Sequence, residues 1–399
     1  MSALLNGQHN MLTLVINCGS SSVKYELFNA EDETYLCKGI VERIGEKFAV
    51  LTHEIPDRDT LQKQVACSDH HAAIELIRDV LTDKNAGVLS SVDEVAGVGH
   101  RVVHGGEEFS ESTLIDAGVI KSIEKFSELA PLHNPPSLEG IKGCMKIFHD
   151  VPQVAVFDTA FHHSMSPKAF CYGIPYEFYE KYGIRRYGFH GTSHRYVATK
   201  AAEMLGKPLE ELNAITVHLG NGCSMAAVSG GRSVDTSMGF TPLEGLLMGT
   251  RSGDLDPAAV TFIMQREGLS AEDVTDLLNT KSGLLGVSGV SNDMRDIIAA
   301  MDKGDKRARL AYDIFVYRIK KYIGAYTAVL GTVDAVVFTA GIGENMPSLK
   351  DDMEKQLSFL SGNGTKFLII GTNEELLIAK DTYRIVKETH KRGRKYAKS

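Results

Sequence analysis

Two stretches of this chain spell the same local structure, and that repetition limits the folds open to it. Ala214–Val228 (AITVHLGNGCSMAAV) reads as a short apolar and β-branched strand, a Gly-rich turn and a second strand. Gly220-Asn221-Gly222 supplies residues able to take positive φ and leaves backbone N–H groups uncovered. A turn without bulky side chains lets a phosphate approach the main chain, where several donors converge on it. Taken singly, such a turn is most often a plain hairpin. Leu12–Phe28, however, repeats it: LTLVIN runs into Cys18-Gly19-Ser20-Ser21-Ser22, after which Val23, Tyr25 and Leu27 alternate with Lys24 and Glu26. That alternation marks a half-buried strand. Each turn combines a polar residue, Gly, small polar residues and a Cys (Cys18, Cys223). Two phosphate-loop-like hairpins in one chain predict two related domains facing one nucleotide.

Composition removes several alternatives. The 399 residues suffice for two or three domains, and 43% hydrophobic with 24% charged residues is ordinary for a globular protein. A net charge of −8 argues against a general nucleic-acid binder. No apolar run approaches the ~20 residues that span a bilayer, and Met1–Asn10 lacks the cationic and apolar segments of a signal peptide. The six cysteines show no C-x-x-C spacing, as expected of reduced thiols in a cytoplasmic protein, and the fourteen histidines include no H-E-x-x-H zinc motif.

Between the hairpins, His70–Leu81 has the apolar stripe of an amphipathic helix, with Ser68 or Asp69 as its N-cap. The strand Val95–Val103 ends in His100-Arg101-Val102-Val103-His104-Gly105-Gly106, where Arg101 suits an anion site and a surface salt bridge equally. Pro131–Pro136 is a rigid turn that leads into a helix. Gln153–Asp158 is a buried strand that terminates in a carboxylate. Ligands gather beyond the carboxyl ends of such strands, so Asp158 reads as a site acid or a helix cap.

Tyr182–Arg195 and Gly239–Pro257 read as loops rich in Gly, Arg and His, of the kind that line anion sites; Arg251 sits in the second, which closes on a helix start at Asp256-Pro257. Lys306–Leu330 is the longest helical pattern, fit for a core or subunit-interface helix. Asp334–Ala340 followed by Gly341–Asn345 predicts a third phosphate or ribose corner, although Met346 stands where the dinucleotide fingerprint needs Gly. Ser291–Asp296 and Thr372–Glu375 open helices, and the basic tail Lys387–Ser399 is expected to be frayed.

The chain lacks a G-x-x-x-x-G-K-[ST] loop and the protein-kinase H-R-D and D-F-G signatures. Two hairpin turns plus a Gly-x-Gly corner resemble instead the actin, Hsp70 and sugar-kinase superfamily. Within it the motifs resemble the acetokinase (acetate kinase) family. They are Asn17–Lys24, Gly99–Gly106 (GHRVVHGG), Phe157–His162 (FDTAFH), Arg186–His194 (RYGFHGTSH), His218–Gly222 (HLGNG), Thr241–Met248 (TPLEGLLM), Arg251–Asp254 (RSGD), Gly341–Asn345 (GIGEN) and Thr372–Glu375 (TNEE). In order, they cover nearly the whole chain.

The resemblance implies an α/β protein of two actin-like ATPase (ribonuclease H-like) domains, with a duplicated βββαβαβα core and the nucleotide in the interdomain cleft. Residues 1–158 would form the acyl-substrate side and 159–372 the nucleotide side with the dimer contacts, while a C-terminal helix in 373–399 packs back on the first domain. It further implies the reaction ATP + acetate ⇌ ADP + acetyl phosphate in a cytoplasmic homodimer, with Mg²⁺ (or Mn²⁺) and no nucleic-acid or membrane partner. Asn17 and Glu374 would lie near the metal and Lys24 near the ATP phosphates. His218, Leu219, Gly220, Asn221 and Gly222 would hold the nucleotide together with Asp293, Met294 and Arg295 and with Gly341, Ile342, Gly343, Glu344 and Asn345. Arg101 would bind the carboxylate; Val103, Leu132, Phe189 and Pro242 would form a small methyl pocket; Asp158, His190 and Arg251 would complete the catalytic set with Arg101. One departure is that the stretch between Asn345 and Thr372 is shorter than the family pattern.

Phosphoryl transfer is mostly positioning plus charge stabilisation, which Arg101, Arg251 and His190 supply. Acetate is ionised at neutral pH, so Asp158 is expected to position other groups rather than act as a base. The rival readings are a propionate or butyrate kinase, a non-catalytic actin-like ATPase, and a sugar kinase, which would need a carboxylate base for a neutral hydroxyl.

Overall fold

The computed structural model describes residues 12–131 and 133–396. Met1–Asn10, Leu132 and the last three residues of the basic tail therefore lie outside the described residues. The chain divides into two units, Met1–Ala160 with Asn373–Ser399, and Phe161–Thr372.

The first unit is built on an eight-stranded sheet of β1 (Leu12–Cys18), β2 (Ser22–Asn29), β3 (Thr34–Glu42), β4 (Ala49–Glu54), β5 (Leu61–Val65), β6 (Val95–Val102), β7 (Thr113–Leu114) and β8 (Gln153–Phe157), in the order β5-β4-β3-β2-β1-β6-β8-β7. β1, β2 and β3 pair antiparallel, whereas β6 lies parallel to β1 and β8 parallel to β6. β1 and β8 are buried almost throughout, which explains their continuous apolar runs. The helices His70–Leu81 and Asn134–Ile147 pack on the sheet, and Ile74, Ile77 and Phe148 join Leu14, Ile16 and Tyr25 in one core. The helix Glu374–Tyr396 packs on β6, β1 and β8. β6 admits it through Gly99, where a Cβ would come within 2.4 Å of Thr382 Oγ1.

The second unit holds β9 (Asn213–Leu219), β10 (Cys223–Ser229), β11 (Arg232–Thr236), β12 (Ala335–Thr339) and β13 (Lys366–Ile369), in the order β11-β10-β9-β12-β13. Three antiparallel strands are followed by two parallel ones, the order that β3-β2-β1-β6-β8 follows in the first unit. This is the duplicated core of the actin-like ATPase fold. β13 lies inside the stretch between Asn345 and Thr372 and completes the sheet. The helix Gly191–Leu205 packs on β9 and β12, and Lys306–Leu330 buries Phe315, Ile319 and Ile323 while packing on β10 and β9.

Several expectations need correction. The stretch Tyr182–Arg195 is not wholly a loop, because a helix begins at Gly191. The Gly-x-Gly corner lies inside a short helix, Ala340–Asn345. The last helix runs to Tyr396, so the basic segment from Lys387 is helical rather than frayed. Gly19, Gly220 and Gly222 do not take positive φ; Gly222 is needed for space.

Candidate active site

In the first unit the site grows from two adjacent strand ends. β6 and β8 are in register with Val102 opposite Phe157, and Asp158 N donates to Val102 O at 2.9 Å. Asp158 therefore leaves its strand beside Arg101. Arg101 Nε donates to Asp158 Oδ1 (3.1 Å) and Nη2 to Oδ2 (2.7 Å), a bidentate pair whose carboxylate is 1% exposed. Glu374 opens the last helix with Oε2 3.8 Å from Arg101 Nε. Burial works against the charge on Arg101, but Asp158 and Glu374 outweigh it and raise the guanidinium pKa. Burial likewise pushes the Asp158 carboxyl upward while Arg101 pulls it back. Arg101 is thus no surface salt bridge, and both Asp158 oxygens are spent on it.

The backbone after Arg101 is pinned from the Asn134 helix. His104 N donates to Asn134 Oδ1 and Asn134 Nδ2 to His104 O, both at 3.0 Å, and Gly106 N donates to His104 Nδ1 at 3.0 Å. Burial keeps the His104 ring neutral, its pKa pushed down to about 4. These bonds hold Val103, buried at 8% exposure, two residues after Arg101. Asn17 and the exposed Lys24 face one another across β1 and β2.

Among the described residues no group of three or more His, Cys, Asp or Glu side chains is arranged to hold a metal ion. Mg²⁺ in a phosphoryl-transfer site needs only one or two carboxylates, the rest of its shell being phosphate oxygen and water. The hard oxygen donors left at the Arg101 end of the sheet, the Glu374 carboxylate with the Asn17 amide, fit that requirement in chemistry.

In the second unit the site is organised by His190, which takes φ of 57° without being glycine. Such a backbone costs roughly 1–2 kcal/mol and persists only where surrounding contacts enforce it. Here they form a chain: Thr216 Oγ1 donates to Ala226 O (3.5 Å) and lies 2.7 Å from His194 Nδ1; His194 Nε2 and His190 Nδ1 lie 2.8 and 2.9 Å from Ser224 Oγ. Buried His194 is held neutral, its pKa well below the ordinary value. Its Nδ1–H therefore donates to Thr216, its Nε2 accepts from Ser224, and Ser224 accepts from His190 Nδ1–H. The donation chain fixes the tautomer of His190. Its ring stacks on His218 at 4.1 Å between centroids, and Ser193 Oγ ties His218 Nδ1 (2.8 Å) to Thr372 Oγ1 (2.9 Å).

The β9–β10 turn comes up against this histidine. A Cβ on Gly222 would meet His190 Nε2 and Arg251 Nη1, each at 3.4 Å. Arg251 is half-buried, and burial lowers its pKa. Nη1 donates to Pro242 O (3.3 Å) and approaches Met248 Sδ (4.0 Å), and no carboxylate pairs with it among the described residues. Arg101 and Arg186, by contrast, each hold an acid. A desolvated guanidinium lacking an acid partner beside a bare backbone turn is suited to an anion.

Nearby, a cavity of about 590 Å³, within the range of small-molecule sites, opens between the β9–β10 turn and two helix starts. Gly220 and Asn221 line one side, Gly341, Ile342 and Asn345 another, and Asp293, Met294 and Arg295 a third. Asn292, Ile298 and Met346 also line it, and no sequence signal singled them out. Asn292 Nδ2 donates to Asn221 Oδ1 at 3.1 Å, and Asp293 caps its helix by accepting from Arg295 N at 2.9 Å.

Not every predicted nucleotide residue reaches the cavity. The Leu219 side chain is buried within β9. Gly343 faces the Phe338 backbone. Glu344 Oε1 accepts from Ala340 N (2.8 Å), Thr372 N (3.0 Å) and Thr339 Oγ1 (3.3 Å), which staples the ends of β12 and β13 and stabilises Ala340 at a φ of 65°. Of the predicted methyl pocket, Phe189 is buried and its carbonyl lies 3.0 Å from His162 Nε2, while Pro242 presents its carbonyl to Arg251. Arg185 stacks on Phe170 at 3.6 Å, and Arg186 is consumed by carbonyls and Glu244, so these two arginines serve structure.

A profile of the acetokinase family matches residues 12–366. The acetate kinase of Halothermothrix orenii is 56% identical over 396 residues, covering 94% of this chain and 100% of that protein. The acetate kinase of Thermotoga maritima is 54% identical over 402 residues, with 95% and 99% covered. Among solved structures, Porphyromonas gingivalis acetate kinase matches with a TM-score of 0.90 at 43% identity, and a propionate kinase from Francisella tularensis with 0.87 at 41%. Both matches cover 94% of this chain and 99% of the other.

Proposed function

The chain belongs to the acetokinase family, and from that premise we propose how its residues carry the reversible transfer of the ATP γ-phosphoryl group to acetate, giving acetyl phosphate and ADP. The observation that carries the proposal is Arg251. Its desolvated guanidinium has a carbonyl and a thioether as partners, with His190 and the Gly222 backbone beside it. A transferring phosphoryl group spreads negative charge over three oxygens, and such a donor set matches it.

Acetate arrives ionised and has no proton to lose, so the chemistry asks for no general base. Asp158 spends both oxygens on Arg101 and serves to aim that guanidinium. The remaining N–H edge of Arg101 would take the acetate carboxylate, and the family resemblance assigns the methyl group to Val103, Leu132, Phe189 and Pro242. The cavity at Asn221, Asp293 and Gly341 takes the nucleoside, and Lys24 the phosphates. Asn17 and Glu374 would hold Mg²⁺, or Mn²⁺ in its place; the bound ion supplies neutralising charge to the phosphate oxygens.

The enzyme acts as a cytoplasmic homodimer. In support, the helix Pro257–Glu267 buries none of its residues, and Phe262 on it is 57% exposed. No helix among the described residues is long and apolar enough to cross a membrane.

Propionate is the second reading, favoured by the Francisella tularensis neighbour, and one methylene is worth only about 1–3 kcal/mol of discrimination. Steady-state kinetics test the assignment. Arg101→Ala should raise KM for acetate and leave KM for ATP near wild type, whereas Arg251→Ala should lower kcat by on the order of 10²–10³. The reverse pattern would reject it.

A further inference from the structure

The loop that carries Pro242 and Arg251 is held by a half-buried polar triad, Tyr172, Arg186 and Glu244. Arg186 Nη1 donates to the carbonyls of Thr236 (2.9 Å), Ser237 (3.1 Å) and Met238 (3.2 Å), and Nη2 donates to Glu244 Oε1. Tyr172 donates its hydroxyl proton to Glu244 Oε2 (2.5 Å), and the Tyr172 hydroxyl oxygen in turn accepts from Phe240 N (2.8 Å). Both ends of the turn, 236–240 and Glu244, are therefore tied to one unit, with Pro242 at the tip. Gly239 makes the approach possible, since a Cβ there would come within 2.3 Å of the Tyr172 hydroxyl. The Pro242 carbonyl at that tip is the oxygen that accepts from Arg251 Nη1.

We infer that Tyr172, Arg186 and Glu244 form a positioning device for Arg251: by fixing the turn, they hold the Pro242 carbonyl where it orients the Arg251 guanidinium for phosphoryl transfer. This rests on the catalytic role proposed for Arg251. Proline suits the task because its ring locks φ and has no N–H to divert the turn. A carbonyl also suits it better than a carboxylate would. It steers the guanidinium through one hydrogen bond without neutralising the charge that the phosphoryl oxygens need. The triad itself lies outside the reacting set and acts only through Pro242.

The test is a double-mutant cycle in the full-length enzyme. Tyr172→Phe removes a single hydroxyl, which frees Phe240 N and one Glu244 oxygen. It should lower kcat roughly tenfold, the rate equivalent of one weakened charge-orienting contact, and leave KM for ATP unchanged. Placed in an Arg251→Ala background, Tyr172→Phe should produce no further fall in kcat. Glu244→Gln, which keeps the size and an acceptor for Tyr172 but removes the negative charge that pairs with Arg186, should show the same dependence on Arg251. Thermal midpoints of all variants monitor folding, and any shift should be the same with and without Arg251. Equal falls in kcat in both backgrounds would mean that the triad is structural only and overturn the inference, as would wild-type kcat in Tyr172→Phe. Loss of the Arg251→Ala defect itself would instead remove the catalytic reading on which the inference rests.

Discussion

Replacing Asp158 by Asn separates positioning from base catalysis. The substitution keeps volume and one acceptor but removes the charge that two Arg101 bonds, at 3.1 and 2.7 Å, now neutralise. Removing one partner of a fully buried ion pair costs about 3–5 kcal/mol. Two features reduce that here: Glu374 remains 3.8 Å from Arg101 Nε, and the Arg101 side chain is 23% exposed. The expected loss of stability is about 2 kcal/mol, measurable by urea unfolding. Freed from one bond, Arg101 turns toward Glu374, and kcat should fall by roughly 10² because an electrostatic donor is misaligned. The decisive readout is the pH–rate profile between pH 5 and 8. Asp158 carries no proton in the reaction, so the Asn variant should run parallel to wild type, displaced downward. A titrating limb present in wild type and flattened in Asp158→Asn, with stability and KM for acetate unchanged, would refute the reasoning and restore a base.

Other consequences can be measured directly. Gly222→Ala puts a methyl group 3.4 Å from both His190 Nε2 and Arg251 Nη1; kcat should drop at least tenfold while the thermal midpoint moves little, since the neighbours are side-chain tips. Stability should decline on acidification. Burial lowers the pKa of His100, His104 and His162 to about 4 and that of His194 well below its ordinary value. These rings are neutral when folded and charge on unfolding, so the stability they carry is complete above the unfolded value of ~6.5 and is lost as pH falls toward 4. Unfolding free energy measured from pH 6.5 to 5 should correspond to a proton uptake that grows from about two at pH 6.5 to nearly four at pH 5; a flat dependence would contradict it. Sedimentation should report a dimer, and Phe262→Asp on the exposed helix should shift it toward monomer.

How much of this was legible in the chain differs by residue. The hairpins at Cys18–Ser22 and Gly220–Gly222 announced the duplicated core because strand alternation and turn composition are local properties. Their glycines serve close approach rather than positive φ, as Gly222 shows against His190 and Arg251. β4 and β5 went unread, since β5 is mostly exposed and lacks an apolar face. Arg186 looked like an anion ligand because composition cannot tell which arginine already has a buried acid; its Glu244 lies far along the chain. Ser224, which fixes the His190 tautomer, and Asn292, Ile298 and Met346 of the cavity carry no local signature. Their roles follow from tertiary contacts alone.

One assay tests the central claim most directly: incubation of the enzyme with ATP, Mg²⁺ and acetate, propionate or butyrate, with the acyl phosphate trapped as its hydroxamate. The account predicts hydroxamate from acetate, less from propionate and least from butyrate, with Arg251→Ala depressing all three. An enzyme that hydrolyses ATP yet yields no acyl phosphate from any of these acids would contradict it.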